Sequence, residues 1–215
     1  MNHEGYERGK KLAGKTRTPH QKRSIGTRDR IIEAARALFA EEGFHATNTK
    51  QIAARANVAV GSFYAYFEDK REVFLAALEE YNREIAERIT FPLPASRVLA
   101  DKEAVVSALI KEILDAHYHD PGFHHEITLM AQTDPEVRRI VEKQESEQKA
   151  LAVRYLVAWR DHISVEDLEA AAFVVFGAVE WVAHALALRQ TDLNSRRLTR
   201  ELAAMICQYL FPAGN

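Results

Sequence analysis

The apolar residues of this chain recur at three- and four-residue steps almost from end to end, and no segment sustains an alternation of period two. That restricts the fold to helices packed on helices, because a half-buried strand needs a two-residue period and a helix one of 3.6. Ile31, Ala35 and Leu38, with Ile32 and Phe39, mark a first helix that starts near Thr27 and is stopped by Gly43. The run KREVFLAALEEYNREIAERI carries a stripe of Val73, Ala77, Leu78, Tyr81, Ile85 and Ile89 as far as a loop with Pro92 and Pro94. Further helices are predicted from Asp101 to about His117, through Met130 after the Pro121-Gly122 break, and from Pro135 to about Arg160. Ser164-x-x-Asp167 opens the most apolar helix, which runs to Leu188, and Asn194 or Ser195 caps a last one to Leu210. The class is all-α, with no internal repeat.

Between the first two of these helices the pattern is tighter. In HATNTKQIAARANV, Asn48 with Gln51 three residues on resembles a capping box, and Ile52, Ala53 and Ala56 mark the inner face of a short helix. Asn57 tolerates the left-handed conformation that ends a helix, Val58 follows as the apolar residue, and Ala59 to Phe67 resume a helical pattern. Two short helices joined in this way form a helix-turn-helix. In its second half, Phe63 and Phe67 are four apart and share the inner face, leaving Gly61, Ser62, Ala65 and Tyr66 opposite.

Charge is distributed unevenly. Residues 1–70 carry 13 Lys/Arg against 8 Asp/Glu, and residues 71–215 carry 16 against 23. A basic front on an acidic body points to a polyanion meeting the front alone. Residues 1–26, with seven Lys/Arg, two Glu and no apolar period, are expected to be a disordered basic tail. The single cysteine, Cys207, excludes an internal disulfide framework, and with no apolar leader at the N-terminus a cytoplasmic protein is expected. The stretch AAFVVFGAVEWVAHALAL contains Glu180 and His184 on one helical face and has no apolar companion of similar length, so a buried bundle or interface helix is expected rather than a membrane span.

Residues 31–78, IIEAARALFAEEGFHATNTKQIAARANVAVGSFYAYFEDKREVFLAAL, resemble the DNA-binding domain of the TetR family of transcriptional regulators. The resemblance rests on the Ala-rich first helix ending in a Gly-aromatic pair, Ile52-Ala53, Val58, Gly61, Phe63-Tyr64, Tyr66-Phe67 and Lys70. It implies a helix-turn-helix domain over 27–72 and a helical effector-binding domain over 73–215 that dimerises through its last two long helices. It also implies a ligand-responsive regulator, most simply a repressor released from double-stranded operator DNA by a small molecule, with no enzymatic activity and no cofactor. Asn48 and Thr49 would then lie against phosphates, and Lys50 would reach base edges or backbone. Val60, Gly61 and Ser62 would face the major groove with Tyr64, Ala65 and Tyr66 nearby, and Lys70 would reach phosphate.

Residue chemistry agrees with these roles: Gly61 and Ala65 let the backbone approach DNA, Val60 and Ala65 suit thymine methyls, and Ser62 can bond either base type. Ala59 departs from the pattern, standing where the family commonly has a hydroxyl residue that caps the recognition helix.

Two constellations in the second half invite other readings. HYHDPGFHHE, residues 117–126, concentrates four histidines with Asp120 and Glu126, and the alternative function is a small helical metal-binding protein or hydrolase built on it. Histidines 117 and 119 point apart on a helix, however, while a zinc site needs three or four convergent ligands, so no metal is expected. Glu180 and His184 read as an intrahelical pair, an effector contact or an interface contact, since no nucleophile accompanies them. As effector contacts we select Tyr81, His117, Phe123, Phe173 and Trp181, with Trp159 also compatible with a pocket, although aromatics at helical spacing commonly serve as core.

Overall fold

In a computed structural model, residues 22–88, 101–117, 119–188 and 191–211 are described, the side chains of 22–25 and 117 excepted. The basic tail as far as residue 21 and the Pro92-Pro94 loop lie outside them. The described residues form α1 (Lys22–Glu42), α2 (Thr49–Arg55), α3 (Val60–Phe63), α4 (Lys70–Arg88), α5 (Lys102–His117), α6 (Pro121–Thr133), α7 (Pro135–Ala158), a 3-10 turn at Arg160–His162, α8 (Leu168–Ala187) and α9 (Ser195–Leu210). No strand occurs among them. The chain is all-α, as the periodicity requires.

The signals at helix ends act locally as their chemistry dictates. Asn48 accepts from the Lys50 and Gln51 amides, and the Gln51 side-chain oxygen accepts from the Asn48 amide, which completes a capping box worth about 1 kcal/mol. Gly43 (φ 85°) and Asn57 (φ 53°) take the left-handed conformation after α1 and α2. Asp120, Asp134, Asp167 and Asn194 cap α6 to α9.

Two boundaries differ from the expectation. The first helix begins at Lys22, five residues before Thr27, because KRSIG carries too few apolar residues to reveal a period. The most apolar helix is capped by Asp167 rather than opened at Ser164, whose backbone amide donates instead to the Leu210 carbonyl at the end of α9 (2.8 Å).

Two apolar cores organise the described residues. In the first, Ile31, Phe39, Ile52, Phe63, Phe67 and Phe74 are fully or almost fully buried with Tyr81, Phe123 and Met130, so α4 and α6 share the core of the helix-turn-helix. The second joins α5, α7, α8 and α9 around Ile110, Leu156, Trp159, Val179, Ile206 and Leu210. The α8 helix is long and apolar enough to cross a membrane, yet its inner side (Ala171, Ala172, Val179, Val182, Ala183) belongs to this second core.

Candidate functional site

The helix-turn-helix turns one side to solvent. Phe63 and Phe67 are buried with ring centroids 5.8 Å apart, which leaves Val60, Gly61, Tyr64 and Ala65 on the outside. A Cβ at Gly61 would meet nothing within 4 Å. Tyr64 is 51% exposed, and its hydroxyl lies 3.0 Å from the Thr49 hydroxyl at the start of α2. Asn48 and Lys50 are exposed beside Thr49, so the start of α2 and the outer side of α3 form one continuous surface of hydroxyls, amide and ammonium. Ser62 and Tyr66 are half-buried, and Tyr66 packs against the first core.

As Ala59 predicts, no side chain caps α3. That helix is a single turn, continued through Tyr66 by tighter bonds from the Ala65 amide to Ser62 and from the Tyr66 amide to Phe63.

Lys70 departs from the role that the resemblance implies. Its ammonium donates to the carbonyls of Phe44 (2.7 Å), Thr47 (2.9 Å) and His45 (3.3 Å), and it stands 4.4 Å above the Phe44 ring. An ammonium has three donors, and all three are used within the chain. Lys70 therefore ties α4 to the turn between α1 and α2 instead of reaching outward. Burial lowers its pKa.

Polar contacts around the first core tie α6 and the start of α7 to α1 and α4. Arg36 donates to Asp120 (2.7 Å) and Glu84 (2.9 Å) and lies over the rings of Tyr81 and Phe123. Burial works against its charge, but its hydrogen bonds to Glu84 and Asp120 outweigh that and raise its pKa. Glu126 accepts from the Phe44 amide (2.8 Å). Arg71 binds Asp134 and Glu136, and its hydrogen bonds pull the Asp134 carboxyl down to about 2.

The Tyr81 hydroxyl bonds His124 Nδ1 (3.0 Å), and His124 Nε2 bonds His184 Nε2 (3.0 Å), so one imidazole donates and the other accepts. Burial pushes the Tyr81 phenol up. Glu180 stands 3.7 Å from His184 as the intrahelical pair that the spacing allows. The histidine cluster is thus divided among neighbours: His119 meets Glu84 and Arg88, His124 meets Tyr81 and His184, and His125 is exposed. Among the described residues no group of three metal-ligating side chains converges.

A cavity of about 510 Å³ lies between α4, α5, α7, α8 and α9. Leu109, Ile110 and Ile113 of α5 and Val175, Phe176 and Val179 of α8 supply its apolar walls, and Asn82, Gln144, Gln148 and Glu180 its polar spots. Of the selected effector contacts, Tyr81, Phe123, Phe173 and Trp181 are not among its lining residues. Tyr81 and Phe123 are buried in the first core, whereas Phe173 and Trp181 stand 64% and 71% exposed on the outer side of α8. The His117 side chain lies outside the described residues. Aromatic content says nothing about which side of a helix turns inward, and here the inner side of α8 is mostly Val and Ala, with Phe176 and Leu186. A legible signal was the mixed stripe of Ile140, Gln144, Gln148, Leu151, Tyr155 and Trp159 at three- and four-residue steps on α7, too polar for core and too apolar for surface. Arg36 and Glu126 left no such trace, since their partners lie 48 to 84 residues away.

Comparison with known proteins agrees with this architecture. Residues 31–77 match the model for bacterial regulatory proteins of the tetR family, and residues 102–210 match that of the tetracyclin repressor-like C-terminal domain. The fatty acid metabolism regulator protein of Bacillus subtilis is 32% identical over 76 residues, 35% of this chain and 39% of that protein. The chain thus spans well under half the length of several curated relatives that it matches. A transcriptional regulator from Rhodococcus sp. Rha1 superposes with a TM-score of 0.70 at 18% identity, over 87% of this chain and 99% of that one. SmeT in complex with triclosan superposes with a TM-score of 0.64 at 22% identity, over 87% and 93%. With one family model on the helix-turn-helix and a second on half of the chain, this protein belongs to the TetR family of bacterial transcriptional regulators.

Proposed function

We propose that the protein is a cytoplasmic, homodimeric repressor that binds double-stranded operator DNA and is released by a small apolar effector. The observation that carries this reading is the outward side of α2 and α3, where Asn48, Thr49, Lys50, Val60, Gly61, Ser62, Tyr64 and Ala65 are backed by a rigid aromatic core. In it, Thr49, Tyr64 and Lys50 contact phosphates and set the register, while Val60, Ser62 and Ala65 meet base edges.

The exposed Phe173, Val174 and Trp181 of α8, with Met205 and Tyr209 of α9, support pairing of these two helices across a two-fold axis, since so many large apolar side chains are costly to leave in water. The effector site is the 510 Å³ cavity, whose size falls within the ~300–1,000 Å³ usual for small-molecule sites. SmeT was solved with triclosan, and the Bacillus subtilis relative is called a regulator of fatty acid metabolism; both names fit an apolar ligand. Release follows if the effector favours a conformation in which the two recognition helices no longer match the groove.

Genome-wide DNA pull-down with the purified protein tests the reading. Enrichment of a short palindromic site, lost when Ser62 and Lys50 are changed to Ala, is expected. Retention of bulk DNA without any preferred site would overturn it.

A further inference from the structure

A pair of imidazoles bridges the two cores. His124 stands on α6, whose Phe123, Ile127 and Met130 belong to the first core, and His184 stands on α8, whose inner side belongs to the second. Their Nε2 atoms are 3.0 Å apart, the one hydrogen bond between α6 and α8 among the described residues. The Tyr81 hydroxyl engages the other nitrogen of His124, Nδ1, at 3.0 Å. A gap of this length between two nitrogens has room for a single proton, because one nitrogen must donate and the other accept. Two neutral rings satisfy it, and so does one neutral ring facing one imidazolium. Two imidazolium rings do not, since both N–H bonds then point into the same gap and their charges repel.

We propose that this pair is a proton-operated latch between α6 and α8, closed while at least one ring is neutral and opened when both are charged, and that opening it weakens operator binding. The effect on DNA rests on the regulator reading. α6 is seated on the helix-turn-helix half, where Asp120 accepts from Arg36 and Glu126 from the Phe44 amide, and α8 carries the exposed apolar face that is proposed to pair with a second copy. With α6 tied to α8, each recognition helix keeps a set position relative to the two-fold axis. Once released, the two helices spread over positions of which only some match the half-site spacing, and ordering them again is subtracted from the affinity.

Imidazole ordinarily titrates near pH 6.5, and the His184 side chain is 40% exposed, so solvent protons reach the pair. The charged groups around Tyr81 and the pair are Arg36 from α1, Glu84 from α4, Asp120 from α6 and Glu180 from α8. His117, at the end of α5, has its side chain outside the described residues, and Lys149 of α7 meets α8 nearer its start, over Phe173 and Phe176. Below about pH 6.5 the unfolded chain charges both imidazoles and the closed latch only one. The unfolded state then binds more protons, so stability falls with pH, and one proton changes the unfolding equilibrium by up to about tenfold per pH unit.

The test compares full-length wild type, His124→Gln and His184→Gln at about pH 7.5 and 5.5, with EDTA present. A glutamine amide donates to a neutral imidazole and accepts from a charged one, so each variant keeps the contact at both pH values. In urea titrations the unfolding constant of wild type is expected to rise about three- to tenfold more over this range than that of either variant. Fluorescence anisotropy with the DNA fragment enriched in the pull-down should show wild-type affinity falling at least about twofold further than theirs. Histidines elsewhere, the exposed His45 included, are common to all three proteins and cancel. If His124→Gln fails to fold, His184→Gln alone carries the comparison.

Equal pH dependence in wild type and variants, in unfolding or in DNA binding, overturns the latch. So does its disappearance in Glu180→Gln, where both imidazoles remain, since a carboxylate would then be the group that takes the proton. Unfolding is read without DNA, which separates the two levels. If the imidazoles prove coupled there while no DNA fragment is bound at about pH 7.5, the contact stands as described and the regulator reading falls.

Discussion

Gly122→Ala examines how closely the two halves of the molecule are fitted together. Gly122 lies in the first turn of α6, pressed against the end of α1: an added Cβ would stand 2.9 Å from both the Cβ and the carbonyl oxygen of Ala40, and 3.2 Å from its Cα. Ordinary contact for such a carbon begins near 3.4 Å, so α6 must retreat by about half an ångström, and the obstructing atoms are backbone or Cβ that no rotamer can move aside. Overpacking of this kind costs about 1–3 kcal/mol, offset by up to about 1 kcal/mol because alanine suits a helix better than glycine. The net loss is about 1–2 kcal/mol, which for a chain of this size lowers the melting temperature by roughly 2–8 °C.

The same retreat stretches the bonds from Arg36 to Asp120, the cap of α6, and from the Phe44 amide to Glu126 on α6, now 2.7 and 2.8 Å long. Thermal melting by circular dichroism, with Gly61→Ala as the matched control in open space, decides the matter. Gly122→Ala melting at or above wild type would refute the close fit of α6 on α1.

Gly61→Ala itself should stabilise the fold by up to about 1 kcal/mol and yet weaken DNA binding, because the new methyl projects where the backbone is proposed to approach the groove; unchanged affinity in a gel-shift titration would argue against that approach. Lys70→Met strands the Phe44 and Thr47 carbonyls and should cost about 1–3 kcal/mol of stability, whereas a residue that only touched phosphate would leave the melting temperature alone.

Asp134 has a folded-state pKa of about 2, below its ordinary value, so its contribution is fully present above about pH 4 and is lost as pH falls through about 2. The stability gap between wild type and Arg71→Met should close over that window, and a gap constant from pH 5 to 2 in denaturant titrations would contradict the pairing. Trp181→Ser on the outer side of α8 should shift the protein towards monomer in sedimentation while leaving its helicity unchanged; a persistent dimer would place the interface elsewhere.

What the sequence determined by itself was local. Period, caps and left-handed stops act within about four residues, and so the helical class, the capping box at Asn48 and Gln51, the stops at Gly43 and Asn57, and the uncapped start of α3 were all legible from residue types. Tertiary structure alone decided which side of each helix turns inward and which distant groups meet. Tyr81 and Phe123 read as cavity aromatics but are buried in the first core, while Phe173 and Trp181 face outward, because an apolar helix flanked by neighbours on several sides has no single moment that reveals its inner side. Lys70 read as a phosphate contact, but α4 carries it over the turn at residues 43–47, where three carbonyls lacking helical partners take its three donors. The Arg36, Asp120 and Glu84 junction depends on segments brought together from 48 to 84 residues apart, a distance at which no periodicity carries information.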